Sequence, residues 1–446
     1  MKPNSHFKFR KLNNELLVSN EVGDFNFFRK DVVGRFYDAN LDDNELKDFK
    51  DLSILIDDDE KWKYYSLARR VEQKYAPTKR KISYLILIPT LRCNLSCSYC
   101  QVSRAPEKAK GFDWTPETLK KFDHFLGESD IEHLKVEFQG GEPTLRLDLV
   151  EDIIAITKKH SSSCEFVICS NMVELDPKLI ELVETENFSI STSIDGSLDT
   201  MTENRTFEDN TSQKVFDNFQ YILNRFGPEK IAALPTITET QINNPEELIN
   251  TYTSLGFQSI FLRPVNYMGF ARKQHKDASH AIREWNEFYV KALNLIKERN
   301  KLHYFEEFYL AMLVREIFSR SSRGFVDYRS PSRFLNNYLV IDFDEKIYPS
   351  DEARMLSRTR HVDLAMGSLE EGIDEHKAQN MNLWAENQTH PDCMHCVYQP
   401  YCGIDIVDDM SRYDRFDMAK NKTWFCNRQM FLFDFIFDKV QRQDKE

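Results

Sequence analysis

Apolar and polar positions change their spacing several times along the chain. Between residues 82 and 262, continuous apolar runs alternate with stretches of helical period: Ile82 to Ile88, Leu134 to Phe138, Glu165 to Cys169, Phe188 to Ile194, Ile231 to Ile237 and Ser259 to Leu262. Runs this uniformly apolar do not suit strands with one wet face, so they predict buried parallel strands. The helices between them have recognisable starts. Thr115-Pro116-Glu117 and Asp176-Pro177 each pair an N-cap residue with proline at the first helical position. Before the fifth strand Val215, Phe219, Ile222, Leu223 and Phe226 recur at helical spacing. Six strands alternating with helices predict an α/β architecture, a parallel sheet or partial barrel, with its ligand site at the strands' C-terminal ends.

The flanks read differently. Short aromatic-rich runs, Phe7 to Phe9, Glu15 to Val18 and Phe25 to Phe28, are separated by turn signals at Asn13-Asn14 and Gly23-Asp24 and predict a small three-stranded sheet. Two short helices over 32–37 and 41–49 and a longer one over 61–75 follow, then a linker from Ala76 to Lys81. Beyond the barrel pattern, Ile282, Trp285, Phe288, Tyr289, Ala292 and Ile296 line one face of a helix over about 279–300, a core-packing pattern. Its continuation through Tyr304 to Tyr309 bridges to the C-terminal part. The expected division is therefore 1–80, an α+β element and linker; 81–275, the barrel; 276–335, a helical bridge; and 336–446, a C-terminal domain.

Charge and cysteine usage narrow the function. The 59 Lys+Arg against 72 Asp+Glu leave a net charge of −13, the wrong sign for binding by phosphate neutralisation, so nucleic acid is not expected as a partner. No apolar run reaches the roughly 18 to 20 residues of a membrane span, and the first residues lack the apolar segment of a secretory signal, which predicts a soluble, cytoplasmic protein with no membrane partner. Of 9 Cys, seven fall into two tight groups, as metal ligands in a reducing compartment do. The other two, Cys164 and Cys169, flank the third strand and read as small buried hydrophobes.

The first group, Cys93-Asn-Leu-Ser-Cys97-Ser-Tyr99-Cys100, directly follows the first strand. Three thiolates converging from one loop leave one metal position open, which suits a 4Fe-4S cluster with a free iron; a zinc knuckle with a distant fourth ligand is the alternative. After the second strand comes Gly140-Gly141-Glu142-Pro143, where the glycines allow close backbone approach to a ligand and the carboxylate can receive an amino group.

Together these motifs resemble the radical S-adenosylmethionine (SAM) superfamily. The resemblance implies a (β/α)6 partial barrel in which Cys93, Cys97 and Cys100 hold a 4Fe-4S cluster. There SAM chelates the free iron and is cleaved to a 5′-deoxyadenosyl radical that takes a hydrogen atom from substrate. It further implies that Tyr99 packs against adenine and that Glu142, on the Gly140-Gly141-Glu142-Pro143 turn, holds the SAM amino group. Asn171, in Ser170-Asn171-Met172 where relatives often show Thr-Asn-Gly, lies by the ribose or methionine, or forms an Asx-turn. Ser193, in Ser193-Ile-Asp195-Gly196, contacts ribose or carboxylate; Asp195 belongs to the same motif or caps the next segment. Arg205 takes the SAM carboxylate by its fork, and Arg263-Pro264 either faces the site or ends the sixth strand.

Cys393-Met-His395-Cys396, Cys402-Gly403 and the later Cys426 resemble the SPASM extension of peptide-modifying radical SAM enzymes, with two departures: Ile406 stands where the last Cys of the core is expected, and the upstream region where another is expected reads Ile347-Tyr-Pro-Ser350-Asp351-Glu. The positions kept are those of one cluster, so the resemblance implies one auxiliary 4Fe-4S cluster on Cys393, Cys396, Cys402 and Cys426; four thiolates also suit zinc. His395 reads as a solvated or neighbouring residue. Over nearly the whole chain the order of motifs is similar to the His-Xaa-Ser-system radical SAM maturases, which act on ribosomally made peptides. This implies a winged-helix-like N-terminal element that captures a precursor leader as an added strand, and a reductant such as flavodoxin or ferredoxin. The implied reaction is an intrapeptide cross-link, a net oxidation whose second electron the auxiliary cluster accepts. A sulfatase-maturase-like oxidase of protein side chains and a zinc-stabilised peptide-binding scaffold are the alternatives.

Overall fold

The computed structural model describes residues 2–3, 7–75, 80–185, 187–205, 210–265, 268–271, 281–319, 330 and 333–443. Most of the expected linker, 76–79, the expected boundary at 275/276 and the start of the helix at 279 lie outside the described residues.

Five of the expected strands lie side by side and parallel in the order Ile231–Ala233, Phe188–Thr192, Ser163–Cys169, His133–Gly140 and Tyr84–Thr90. Helices Pro116–Gly127, Leu147–His160, Pro177–Glu184 and Thr211–Phe226 connect them. The helix starts are built as expected: Thr115 accepts from the Thr118 amide, and Asp176 from the Lys178 amide at 2.8 Å. Buried faces carry Phe122 and Leu126, Val150 and Ile153, and Val215 and Phe219, which join the strand residues in one continuous core.

The far end of the barrel differs from expectation. The run 231–237 is not one strand: it breaks at Pro235, which has no amide to donate, into Ile231–Ala233 and Thr236–Ile237. The sixth run also divides. Ser259–Ile260 pairs with Glu306–Glu307, whereas Arg263–Pro264 pairs with Thr236–Ile237. Between the two pieces the Leu262 amide is met at 3.0 Å by the buried carboxylate of Glu307 in place of a strand carbonyl.

On the other side, Tyr338–Ile341 adds itself parallel to Tyr84–Leu87, and Lys346–Tyr348, Gly367–Ser368 and Gly372–Ile373 continue antiparallel to give a nine-stranded sheet among the described residues. The sheet thus runs across the expected boundary at 335/336, covering an edge that Tyr84–Thr90 would otherwise present unpaired.

The N-terminal strands Lys8–Leu12, Glu15–Ser19 and Phe25–Arg29 form an antiparallel sheet, followed by helices Val32–Tyr37, Asp43–Asp51 and Lys61–Tyr75. Period-two alternation gives this sheet two apolar faces. Leu16, Val18 and Phe28 make a small core with Val32 and Phe49, while Leu12 and Leu17 join the main core. The second face packs on the C-terminal part: Ser19 Oγ donates to the Val397 carbonyl at 2.8 Å and the Tyr401 hydroxyl to the Gly23 carbonyl. No helix among the described residues is long and apolar enough to cross a membrane.

Candidate active site

The first cysteine loop leaves the C-terminal end of Tyr84–Thr90 and is tied down along its length. Leu91 N donates to Phe112 O at 2.9 Å, Ser98 N to Asn204 O at 2.9 Å and Ala271 N to Cys100 O at 3.1 Å. Cys93, Cys97 and Cys100 thereby line one cavity of about 340 Å³, shared with Tyr99, Gly140, Gly141, Glu142, Asn171, Ser193 and Arg205. Burial pushes the Cys93 thiol up to about 12 and the Cys97 thiol up to about 11, Arg205 drawing the latter back down. As free thiols they are poor thiolates, and a bound metal group would supply the stabilisation.

The two glycines are explained by the chain itself. A Cβ on Gly140, at φ +128°, would lie 2.2 Å from the Thr90 carbonyl oxygen, and one on Gly141 would lie 2.2 Å from that of Arg92. Gly141 N and Glu142 N donate to Thr90 O and Arg92 O at 3.1 and 2.8 Å. The close approach expected toward a ligand is therefore made toward the backbone of the cysteine loop, which it holds in place.

Glu142 is buried at the cavity wall and caps the short helix Pro143–Arg146, its Oε1 accepting from Thr144 N and its Oε2 from Asn171 N at 2.7 Å; burial raises its carboxyl. Asn171 forms the Asx-turn, accepting from Val173 N at 3.0 Å, and reaches Asn94 in the cysteine loop at 2.7 Å. Met172, where relatives often have glycine, sits at φ +60°. Pro143 and Asp195 are not among the cavity's lining residues. Asp195 is fully buried behind it, accepting from the Tyr99 hydroxyl at 2.6 Å and Thr236 N at 3.0 Å, with Arg205 Nε at 3.4 Å.

Sequence reasoning missed most of the opposite wall. Tyr309, Asp351, Glu352, Asp405, Trp424, Phe425 and Arg428 line it, together with Arg263, whose orientation the sequence left open. Tyr309 stacks on Phe261 at 5.8 Å and accepts from Gln429 Nε2 at 2.7 Å, joining a barrel strand end to the C-terminal helix Trp424–Gln443. Cys169 also departs from a plain buried role: it lines the cavity and donates to Glu137 at 3.3 Å. The clue to this wall was the Trp424-Phe425 pair immediately before Cys426.

The second cysteine group lies beyond that wall. Consecutive turns, with Cys396 N donating to Cys393 O and Gln399 N to Cys396 O at 2.9 and 3.0 Å, fold the 393–402 loop. Cys393, Cys396, Cys402 and Cys426 line a second cavity of about 440 Å³. Burial pushes the Cys393 and Cys426 thiols up to about 12. His395 is exposed at its rim. In the upstream stretch that lacks a cysteine, Ser350 caps helix Asp351–Arg358, and Ile406 begins helix Ile406–Tyr413. Phe425 and Asp405 line both cavities, so the two adjoin.

Residues 87–250 match the model of the Radical SAM superfamily. An uncharacterized protein of Methanocaldococcus jannaschii is 28% identical over 214 residues, 46% of this chain and 70% of that protein. GTP 3′,8-cyclase of Chlorobaculum tepidum is 31% identical over 172 residues, 37% of this chain, which spans about half, 48%, of the cyclase. Among solved structures, anSMEcpe with bound AdoMet (SAM) superposes with a TM-score of 0.62 at 17% identity, covering 80% of this chain and 98% of that one. SuiB of Streptococcus suis bound to precursor peptide SuiA gives 0.52 at 14% identity over 93% and 97%. The chain therefore contains a radical SAM domain in an α/β fold shared with these structures. It is an enzyme, and its cofactors are SAM and a 4Fe-4S cluster.

Proposed function

We propose that this enzyme matures a ribosomally made peptide by closing an intrapeptide cross-link. Cys93, Cys97 and Cys100 hold the SAM-binding 4Fe-4S cluster, and Cys393, Cys396, Cys402 and Cys426 hold one auxiliary 4Fe-4S cluster. When bound, SAM and the clusters supply a 5′-deoxyadenosyl radical that takes one hydrogen atom and an acceptor for the electron released as the cross-link forms, the second hydrogen leaving as a proton to solvent. The observation that carries the reading is that Phe425 and Asp405 line both the cavity of Cys93, Cys97 and Cys100 and the four-cysteine cavity, so the two adjoin.

The donor sets fit clusters better than single ions. Three thiols from one loop leave a metal position open, as a 4Fe-4S cluster that binds a further ligand does, and the four thiols of the second set can enclose a cluster fully. Tyr99, Glu142, Asn171, Ser193 and Arg205 surround the space beside the first cysteines and are assigned to SAM, with Gly140, Gly141 and Pro143 shaping the turn. Asp195 acts indirectly by orienting Tyr99 and Arg205. The opposite wall, with Asp351, Glu352, Asp405 and Arg428, is assigned to the substrate and keeps bulk water from the reacting atoms.

The N-terminal sheet is assigned to the leader, which would add as a strand to one of its edges. Support comes from SuiB, solved with its precursor peptide, and from anSMEcpe, solved with AdoMet and the Cp18Cys peptide. The division into 1–80, 81–275, 276–335 and 336–446, the relation to the His-Xaa-Ser-system maturases, a flavodoxin- or ferredoxin-type reductant and a cytoplasmic location belong to the same reading. The test is co-expression with peptides encoded beside the gene, followed by mass spectrometry. A product lighter by two hydrogens supports it; SAM cleavage with every such peptide left unchanged overturns it.

A further inference from the structure

The second cysteine cavity is not built from the C-terminal part alone. Arg10, on the first N-terminal strand, lines it. Its guanidinium makes a two-pronged pair with Asp434, Nε and Nη2 each donating at 2.7 Å, and lies 5.7 Å from the centre of the Tyr398 ring. Tyr398, two residues beyond Cys396, donates to the same carboxylate at 2.6 Å. Two residues earlier on the strand, Lys8 is 3% exposed and donates to Gln399 at 2.5 Å and to Glu21 at 3.1 Å. Gln399 lies between Cys396 and Cys402 and lines the cavity. Lys8 is thus bonded to the cysteine loop through Gln399, and Arg10 is held over the loop's Tyr398 by its pair with Asp434 of the C-terminal helix.

Lys420 also lines the cavity, paired with buried Asp409 at 2.7 Å, as Arg10 is paired with Asp434 and Lys8 with Glu21. A cluster on four thiolates carries negative charge, and one more on reduction. Fixed cations nearby favour the reduced state, and burial strengthens their effect.

We propose that Arg10 and Lys8 of the N-terminal sheet are electrostatic positioning residues of the Cys393, Cys396, Cys402 and Cys426 site, raising the reduction potential of the cluster held there. The inference rests on the auxiliary-cluster reading above. It gives the N-terminal sheet a role in the chemistry of the auxiliary site beyond peptide capture: residues 8 and 10 complete the charge environment of a loop nearly 400 positions away.

The test is a redox titration of full-length protein, reconstituted anaerobically and followed by electron paramagnetic resonance, with iron counted in each sample. The Arg10→Met and Lys8→Met variants shift the auxiliary midpoint to more negative values. Asp434→Asn, which leaves Arg10 unbalanced, shifts it to more positive values, and Arg10→Lys stays close to the parent. The SAM-cluster midpoint does not move in any of them, and the surface variant Lys120→Met changes neither. Loosening of the fold would move the Arg10 and Asp434 variants the same way, and that result overturns the proposal. Two clusters whose midpoints are indifferent to all three charge changes overturn it while leaving the auxiliary cluster standing. A parent protein with one cluster only overturns both. If Arg10→Met loses iron, Lys8→Met and Asp434→Asn still decide the sign.

Discussion

The hydroxyl of Tyr99 donates to Asp195 at 2.6 Å, and Asp195 is fully buried. Tyr99 stands between two cysteines of the first loop, and Asp195 follows the strand Phe188–Thr192, so the bond ties the loop to a different strand end. Arg205 Nε also donates to the Tyr99 hydroxyl, at 2.9 Å. A tyrosine, a carboxylate and a guanidinium thus form one buried unit, whose members at the cavity wall are Tyr99 and Arg205.

Asp195→Asn removes the counter-charge from that unit. Because it takes a buried charge out of a hydrogen-bonded unit, stability should fall by about 1 to 3 kcal/mol, seen as a lower denaturation midpoint. SAM affinity should fall with it, since Tyr99 and Arg205 lose their orientation. An unchanged midpoint would show that the unit is not coupled to the fold.

Gly141→Ala places a methyl 2.2 Å from the Arg92 carbonyl oxygen and 2.4 Å from that of Leu91. Neither backbone atom can move without displacing Cys93. The substitution should cost about 1 to 3 kcal/mol by overpacking and reduce iron bound at the first site. Gly111→Ala is the control for stability: nothing lies within 4 Å of its Cβ, and it carries only the strain of φ +78°.

Iron analysis separates the two cysteine sets. Anaerobically prepared protein should hold about eight irons, as two clusters of four. Replacing Cys93, Cys97 and Cys100 together with alanine should remove about half. Stoichiometric zinc without visible charge-transfer absorption would falsify the cluster assignments.

Cys402→Ala leaves three ligands in the second cavity and should yield 5′-deoxyadenosine without a peptide lighter by two hydrogens. Cys97→Ala should yield neither. If Cys402→Ala makes cross-linked peptide at the parent rate, the second cavity has a structural role alone. Some loss of stability is expected, because ligation there is also folding energy.

Deleting residues 1–56 should abolish precursor processing while SAM cleavage persists, because Cys93, Cys97 and Cys100 lie outside the deleted region. The structure adds a second consequence. Ser19 and Gly23 hold the 397–401 turn, so the truncated protein should also lose auxiliary iron. Full auxiliary iron and unchanged precursor affinity would show that the segment is a passive cap.

Local rules carried a large part of this protein. Uniform apolar runs marked the parallel strands, Thr115 and Asp176 marked helix starts, and the spacing of Cys93, Cys97 and Cys100 marked one loop whose three thiols line a single cavity, because each depends on residues a few positions apart. The cysteine loop and the Gly140-Gly141 turn come together because both follow adjacent parallel strands, a rule that pattern alone can apply.

What only the tertiary structure decided lies where distant segments meet. Tyr338-Leu-Val-Ile341 is as apolar as the barrel strands, but nothing local says that it pairs with Tyr84 to Leu87 across some 250 residues. The same holds for Phe425 and Asp405 as shared lining, for the placement of Arg10 at the second cavity and of Lys8 against Gln399, and for Asp195, whose partners Tyr99 and Arg205 come from two other segments. Periodicity reports which face of an element is buried, whereas the partner that buries it is chosen by packing and charge pairing between segments. Capping and thiol spacing are therefore written along the chain, and the geometry between the two cysteine sites arises only when the chain has folded.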